Sequence, residues 1–137
     1  MLLINSKNAP IINTREVCLH DYKFVNMEYE PEQNRLILKY GVDSRLIFNN
    51  VVGFSAITCG FWNPSGTVAI LDFVYLPLEK SLLLQKLNKE RERIIREYGE
   101  YSTGHFEKEK DFFETLTEFS SGDKLSVVCE YIEIETA

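Results

Sequence analysis

Apolar residues recur at every second position along much of this chain, and turn-forming residues interrupt the pattern at short intervals. Val25, Met27 and Tyr29 alternate with Phe24, Asn26 and Glu28, and Leu36, Leu38 and Tyr40 alternate with Arg35, Ile37 and Lys39. Period-two alternation is the mark of a strand with one face turned to a core. Pro31-Glu32-Gln33-Asn34 supplies turn chemistry between these two segments. Gly41-Val42-Asp43-Ser44 supplies a second turn, leading into Leu46 and Phe48. The pattern predicts an antiparallel meander of three strands, near Tyr22 to Tyr29, Arg35 to Tyr40 and Arg45 to Phe48.

Asn49-Asn50 marks a break, after which Val51 to Ile57 reads as a further strand and 60–66 as a turn-rich loop. Val68 to Leu76 is apolar on both alternating faces, so it is expected in the middle of the sheet, with Asp72 the exception. Pro77 ends it. Ser81 is a suitable N-cap for a helix over Leu82 to Tyr98, whose Leu83, Leu84, Leu87, Ile94, Ile95 and Tyr98 recur at helical spacing, and Gly99 is the stop. The apolar stripe lapses between Leu87 and Ile94, which predicts that the middle of this helix lies over the edge of the sheet.

Phe112 to Phe119 fits either period, but Phe113, Thr115, Thr117 and Phe119 lead into Ser120-Ser121-Gly122-Asp123, a hairpin turn that favours the strand. Leu125 to Ile134 completes the hairpin. Its apolar parity switches past Tyr131, which predicts a β-bulge near Glu130. The first 15 residues hold two short apolar patches and read as an edge strand or a loose arm. The expected fold is β-rich α+β: an antiparallel meander or sandwich-like sheet, one main helix at about 81–98, and a single domain over 1–137.

A chain of 137 residues that is 45% hydrophobic can bury a core without disulfide or metal staples. Its net charge of −6 opposes non-specific attraction to nucleic acid or to anionic membranes, and favours a basic protein among its partners. Cys18, Cys59 and Cys129 are an odd set in apolar surroundings, which predicts buried free thiols and a cytoplasmic location. The N-terminus lacks the basic and apolar regions of a secretory signal, and no apolar run approaches the length of a membrane span.

Candidate chemistry is sparse. Cys18, His20, Cys59, His105 and Cys129 lack paired zinc-ligand spacing, so no metal or cofactor is expected. A Cys/His nucleophile from the same residues would need an orienting group and an oxyanion donor that cannot be assigned. His20 and Asp21 precede the first hairpin, where Asp21 can orient the ring or cap the turn. Asp72 must find a partner or lie near an edge, because an ionised carboxylate in an apolar strand is costly. These three make a candidate polar site. Five basic residues on the helix are offset by acids, leaving +1 over 79–100 against −7 elsewhere, so they read as a solvated, self-paired face. Trp62, in a loop tip, and Glu130, Glu133 and Glu135, near the C-terminus, form a candidate interaction surface.

Leu19-His20-Asp21-Tyr22, Met27-Glu28-Tyr29-Glu30, Leu36-Ile37-Leu38 and Leu46-Ile47-Phe48-Asn49-Asn50-Val51 together resemble a loose pattern of small bacterial β-rich domains. Some of these are similar to immunity proteins of toxin systems. The resemblance implies a small cytoplasmic binding protein with no cofactor. The first functional expectation is therefore a non-enzymatic protein–protein interaction module. The alternatives are a small-molecule binding protein or enzyme with a pocket between sheet and helix, using Asp72, His20 and nearby tyrosines, and a homo-oligomer subunit.

Overall fold

The computed structural model describes residues 2–14, 17–58, 68–99 and 112–136. Among these residues seven antiparallel strands form one sheet: β1 (Leu2–Asn5), β2 (Phe24–Glu30), β3 (Arg35–Tyr40), β4 (Ser44–Ile57), β5 (Ile70–Leu76), β6 (Phe113–Phe119) and β7 (Lys124–Glu135). The main helix, α1, spans Leu82–Tyr98. The chain is thus β-rich α+β, with β2, β3 and β4 in the expected meander. The spatial order is β2-β3-β4-β7-β6-β5, and β1 pairs with the far half of β7, beyond the rungs that β6 occupies.

The sheet rolls until its two ends meet. Phe24 N–H donates to the Val68 carbonyl and Ile70 N–H to the Tyr22 carbonyl, both at 2.8 Å, around a Lys23–Ala69 bridge. One buried apolar cluster accordingly draws residues from every strand, including Ile4, Phe24, Leu38, Phe48, Ile70, Phe119 and Ile132. Flat strands in this order could not bring β2 and β6 together, yet the rings of Phe24 and Phe119 pack edge-on with centroids 5.1 Å apart. The N-terminal segment contributes as well. A 3-10 turn at Ala9–Asn13 buries Ala9 and Ile12, and the Asn13 amide pairs with both backbone groups of Tyr75, capping that edge of β5.

Outside the roll, α1 lies on β4 and β7. Ser81 caps it, its Oγ accepting from Leu84 N–H at 3.0 Å, and Gly99 closes it at φ +89°. Leu83, Leu84 and Leu87 meet Val52, Val128 and Phe112 in a small second core. The approach is close because position 53 is glycine: a Cβ there would lie 2.4 Å from Leu87 Cδ1.

Several expectations need correction. The two segments either side of Asn49-Asn50 are one 14-residue strand, continued through Asn50 at φ +51°. The bulge expected near Glu130 sits on the facing strand, where the register shifts between Val51 and Gly53 opposite Cys129 and Val128. The segment 68–76 is not central. β5 ends the strand order, and a bulge between Ile70 and Asp72 turns Leu71 and Asp72 outward to solvent, so an apolar run here serves a terminal strand. The first turns of the helix, through Leu83, Leu84 and Leu87, sit on the two central strands of the order, where Gly53 lets Leu87 in. Cys18 is exposed, not buried, whereas Cys129 is enclosed and free, with burial pushing its thiol pKa upward. Cys59, the loop at 60–66 with Trp62, and the stretch 100–111 with His105 lie outside the described residues.

Candidate functional site

The end of the roll beside the β3–β4 turn carries exposed apolar side chains. Gly41 and Asp43 both adopt left-handed conformations, φ +60° and +61°, which thrust Val42 outward until it is 81% exposed. Tyr22 lies against this turn: a Cβ at position 41 would stand 3.1 Å from its Cδ1. Val25 lines a cleft with Val42, and both Val25 and Tyr22 are 47% exposed. Tyr22 thus packs against the turn, while Val25 and Val42 share a cleft beside it.

A second cleft, of about 350 Å³, runs between Leu2, Val17, Leu19 and Ile134. Tyr40 and Tyr22 close one side, packed edge-on with ring centroids 5.4 Å apart. Tyr40 is only 1% exposed, and its hydroxyl has no hydrogen-bond partner among the described residues. A buried hydroxyl left so costs about 1–3 kcal/mol. Burial, with a smaller contribution from Tyr22, pushes the Tyr40 pKa up to about 12, so its O–H stays protonated at neutral pH.

His20, Asp21 and Asp72 gather nearby. His20 and Asp72 line a neighbouring cleft of about 260 Å³, which shares Val17, Cys18 and Leu19 with the first. His20 Nδ1 sits 2.7 Å from the Leu71 carbonyl, which can only accept, so Nδ1 bears the proton. Its Nε2 then faces Asp21 Oδ1 at 3.3 Å, with both side chains largely exposed. Asp72 Oδ1 accepts from the N–H of Phe73 at 3.0 Å. Imidazole and carboxylates are thus tied to backbone or to each other in open water, without the enclosure that strengthens charge chemistry. Among the described residues no group of three or more His, Cys, Asp or Glu could hold a metal ion.

The C-terminal acids occupy the outer face of β7 and are engaged within the sheet. Glu135 pairs with Arg45, its Oε2 accepting from Nε at 2.9 Å, Glu133 accepts from Asn49 Nδ2 at 3.2 Å, and Glu130 from Asn50 Nδ2 at 3.2 Å. Farther along the same face Arg35 meets Glu30 at 2.7 Å and Lys39 meets Glu28 at 3.1 Å. Ile37 and Ile47 lie cross-strand from each other amid these pairs and are buried. Long ion-paired side chains shield them by their aliphatic stems.

Glu114 departs most from sequence expectation. It follows Phe113 on the outward side of β6, is 3% exposed, and hydrogen-bonds Ser81 at the head of α1, while its Oε2 has no partner among the described residues. Burial raises its pKa above the ordinary 4.5, only partly opposed by the Ser81 hydrogen bond. The folded chain therefore holds a proton that the unfolded chain releases, and stability falls as pH rises from 4.5 through the folded-state value. Melting curves between pH 4 and pH 8 should show this decline in the wild type and a flatter profile in Glu114→Gln; equal profiles would mean the charge is already compensated.

Tyr40 and Glu114 were hidden in the sequence because each stands in ordinary strand alternation. Only the closure of the sheet reveals that a phenol hydroxyl is enclosed without a partner among the described residues, and only the seat of α1 reveals that an outward carboxylate is covered. No protein-family model matches the chain, and neither does any curated protein or solved structure.

Proposed function

We propose that this chain is a non-enzymatic protein-binding module, working in the cytoplasm, that docks its partner on the rim formed by Tyr22, Val25 and Val42. The observation that carries this reading is that three partly or largely exposed apolar side chains flank one turn, Tyr22 against Gly41 and Val25 in a cleft with Val42, on a backbone held by two left-handed residues. Scattered apolar residues on a surface are ordinary, whereas a clustered patch beside a pocket is the usual anchor of an interface. The immunity-like resemblance points the same way. The net charge of −6 would speed encounter with a basic partner. The polar trio at His20 does not compete as an active site, since its groups are solvated and committed to backbone atoms or to one another.

The test is capture of a partner from the native host by tagged wild-type chain and by Val42→Asp. Because Val42 is exposed, the substitution leaves the fold intact, yet it buries a charge in the interface and should weaken capture by about tenfold or more. Equal recovery by both proteins would remove the rim from the interface. A partner that is a second copy of this chain would appear as a concentration-dependent mass above 15.9 kDa.

A further inference from the structure

We propose that the cleft beside the β3–β4 turn receives the carboxyl terminus of a partner chain that ends in an aliphatic residue. Val25 and Val42 take the last side chain, and Lys39 and Arg45 take its carboxylate. This rests on the docking reading above and names what the partner presents there. The cleft has a volume of about 600 Å³, and both cations line it together with the two valines. Their carboxylate partners, Glu28 and Glu135, are not on that lining.

Lys39 and Arg45 stand directly opposite each other in the register of β3 and β4. Like charges so placed repel, and an anion set between them relieves the repulsion. Neither cation is used up by its own carboxylate. Lys39 gives one hydrogen bond, to Glu28 at 3.1 Å, and Arg45 turns Nε and Nη2 to a single oxygen of Glu135. An ammonium has three N–H donors and a guanidinium five, so donors remain on side chains that are 37% and 40% exposed. With Asp43 as the one acid on the lining, two cations leave this cleft at +1 in a chain of net −6. A basic partner drawn in by the whole chain still ends in a carboxylate, so the two demands agree. The terminus fits better than an internal acid, because it carries side chain and carboxylate on one carbon. In an extended segment the neighbours of an internal Asp or Glu point to the opposite face, away from the valines.

The experiment is a titration of the isotope-labelled full chain at neutral pH, followed by amide chemical shifts, with acetyl-Gly-Gly-Leu as the free acid and as the carboxamide. The two peptides differ only in the terminal charge. The expected result is that the acid shifts the amides of Val25, Lys39, Val42 and Arg45 and binds about 3- to 10-fold more tightly than the carboxamide. Arg45→Gln should weaken the acid about 3-fold and leave the carboxamide unchanged. Added salt should erode the preference in the wild type, a readout that needs no variant to fold. Equal affinity for the two peptides would overturn the proposal, as would shifts that avoid these residues or no binding of either peptide. The docking reading falls separately, only if Val42→Asp captures the partner as well as the wild type does.

Discussion

Truncating Phe119 to alanine is expected to destabilise the protein by about 3–5 kcal/mol, the largest loss of any substitution considered for this chain. Phe119 is 1% exposed at the end of β6, and its ring touches Phe24 across the seam where the sheet closes. The loss therefore has two parts, a cavity in the shared core and release of the seam. Chemical denaturation of Phe119→Ala, Phe24→Ala and the double variant separates them. Closure predicts that the double variant loses less than the sum of the singles, with a coupling of about 0.5–1.5 kcal/mol. Strict additivity would mean that the two ends of the sheet do not support each other.

The second large effect is expected at Gly53. Gly53→Ala places a methyl 2.4 Å from Leu87 Cδ1 and 2.9 Å from Cδ2, so the leucine must leave its seat or α1 must lift. Overpacking of this kind costs about 1–3 kcal/mol. Truncating Leu87 to alanine in the same chain removes the obstacle, so Gly53→Ala should be nearly harmless in a Leu87→Ala background. A full penalty in that background would show that the glycine is needed for the backbone of the β4 bulge and not for the helix.

How much of this was legible beforehand depends on whether an element is set by neighbours in sequence or by neighbours in space. The α1 boundaries at Ser81 and Gly99, the turns at 31–34, 41–44 and 120–123, and the strand over Phe113–Phe119 all follow from local chemistry, and all are found. The position of β5 is not local. Its apolar run is compatible with burial on both faces, and its place is set by partners distant in sequence, β6 on one side and the seam with Tyr22 and Phe24. Asp72 gave the one local hint, a carboxylate that belonged near an edge and is found there. Asn49-Asn50 looked like an interruption because asparagine favours turns, yet a single left-handed residue bends a strand without ending it. The polar trio was legible as a neighbourhood, since His20 and Asp72 do line one cleft. The phenol of Tyr40 was not, because alternation says which side chains point inward but not which of them are enclosed without a partner among the described residues.

The central claim, that the β3–β4 end of the roll is the contact face, is tested most directly by hydrogen exchange of the chain alone and in complex with the partner it captures. The account predicts new protection concentrated in residues 22–25 and 39–45, with the outer face of α1 unchanged. Protection centred instead on α1, or on the outer face of β7 around Glu130, Glu133 and Glu135, would contradict it.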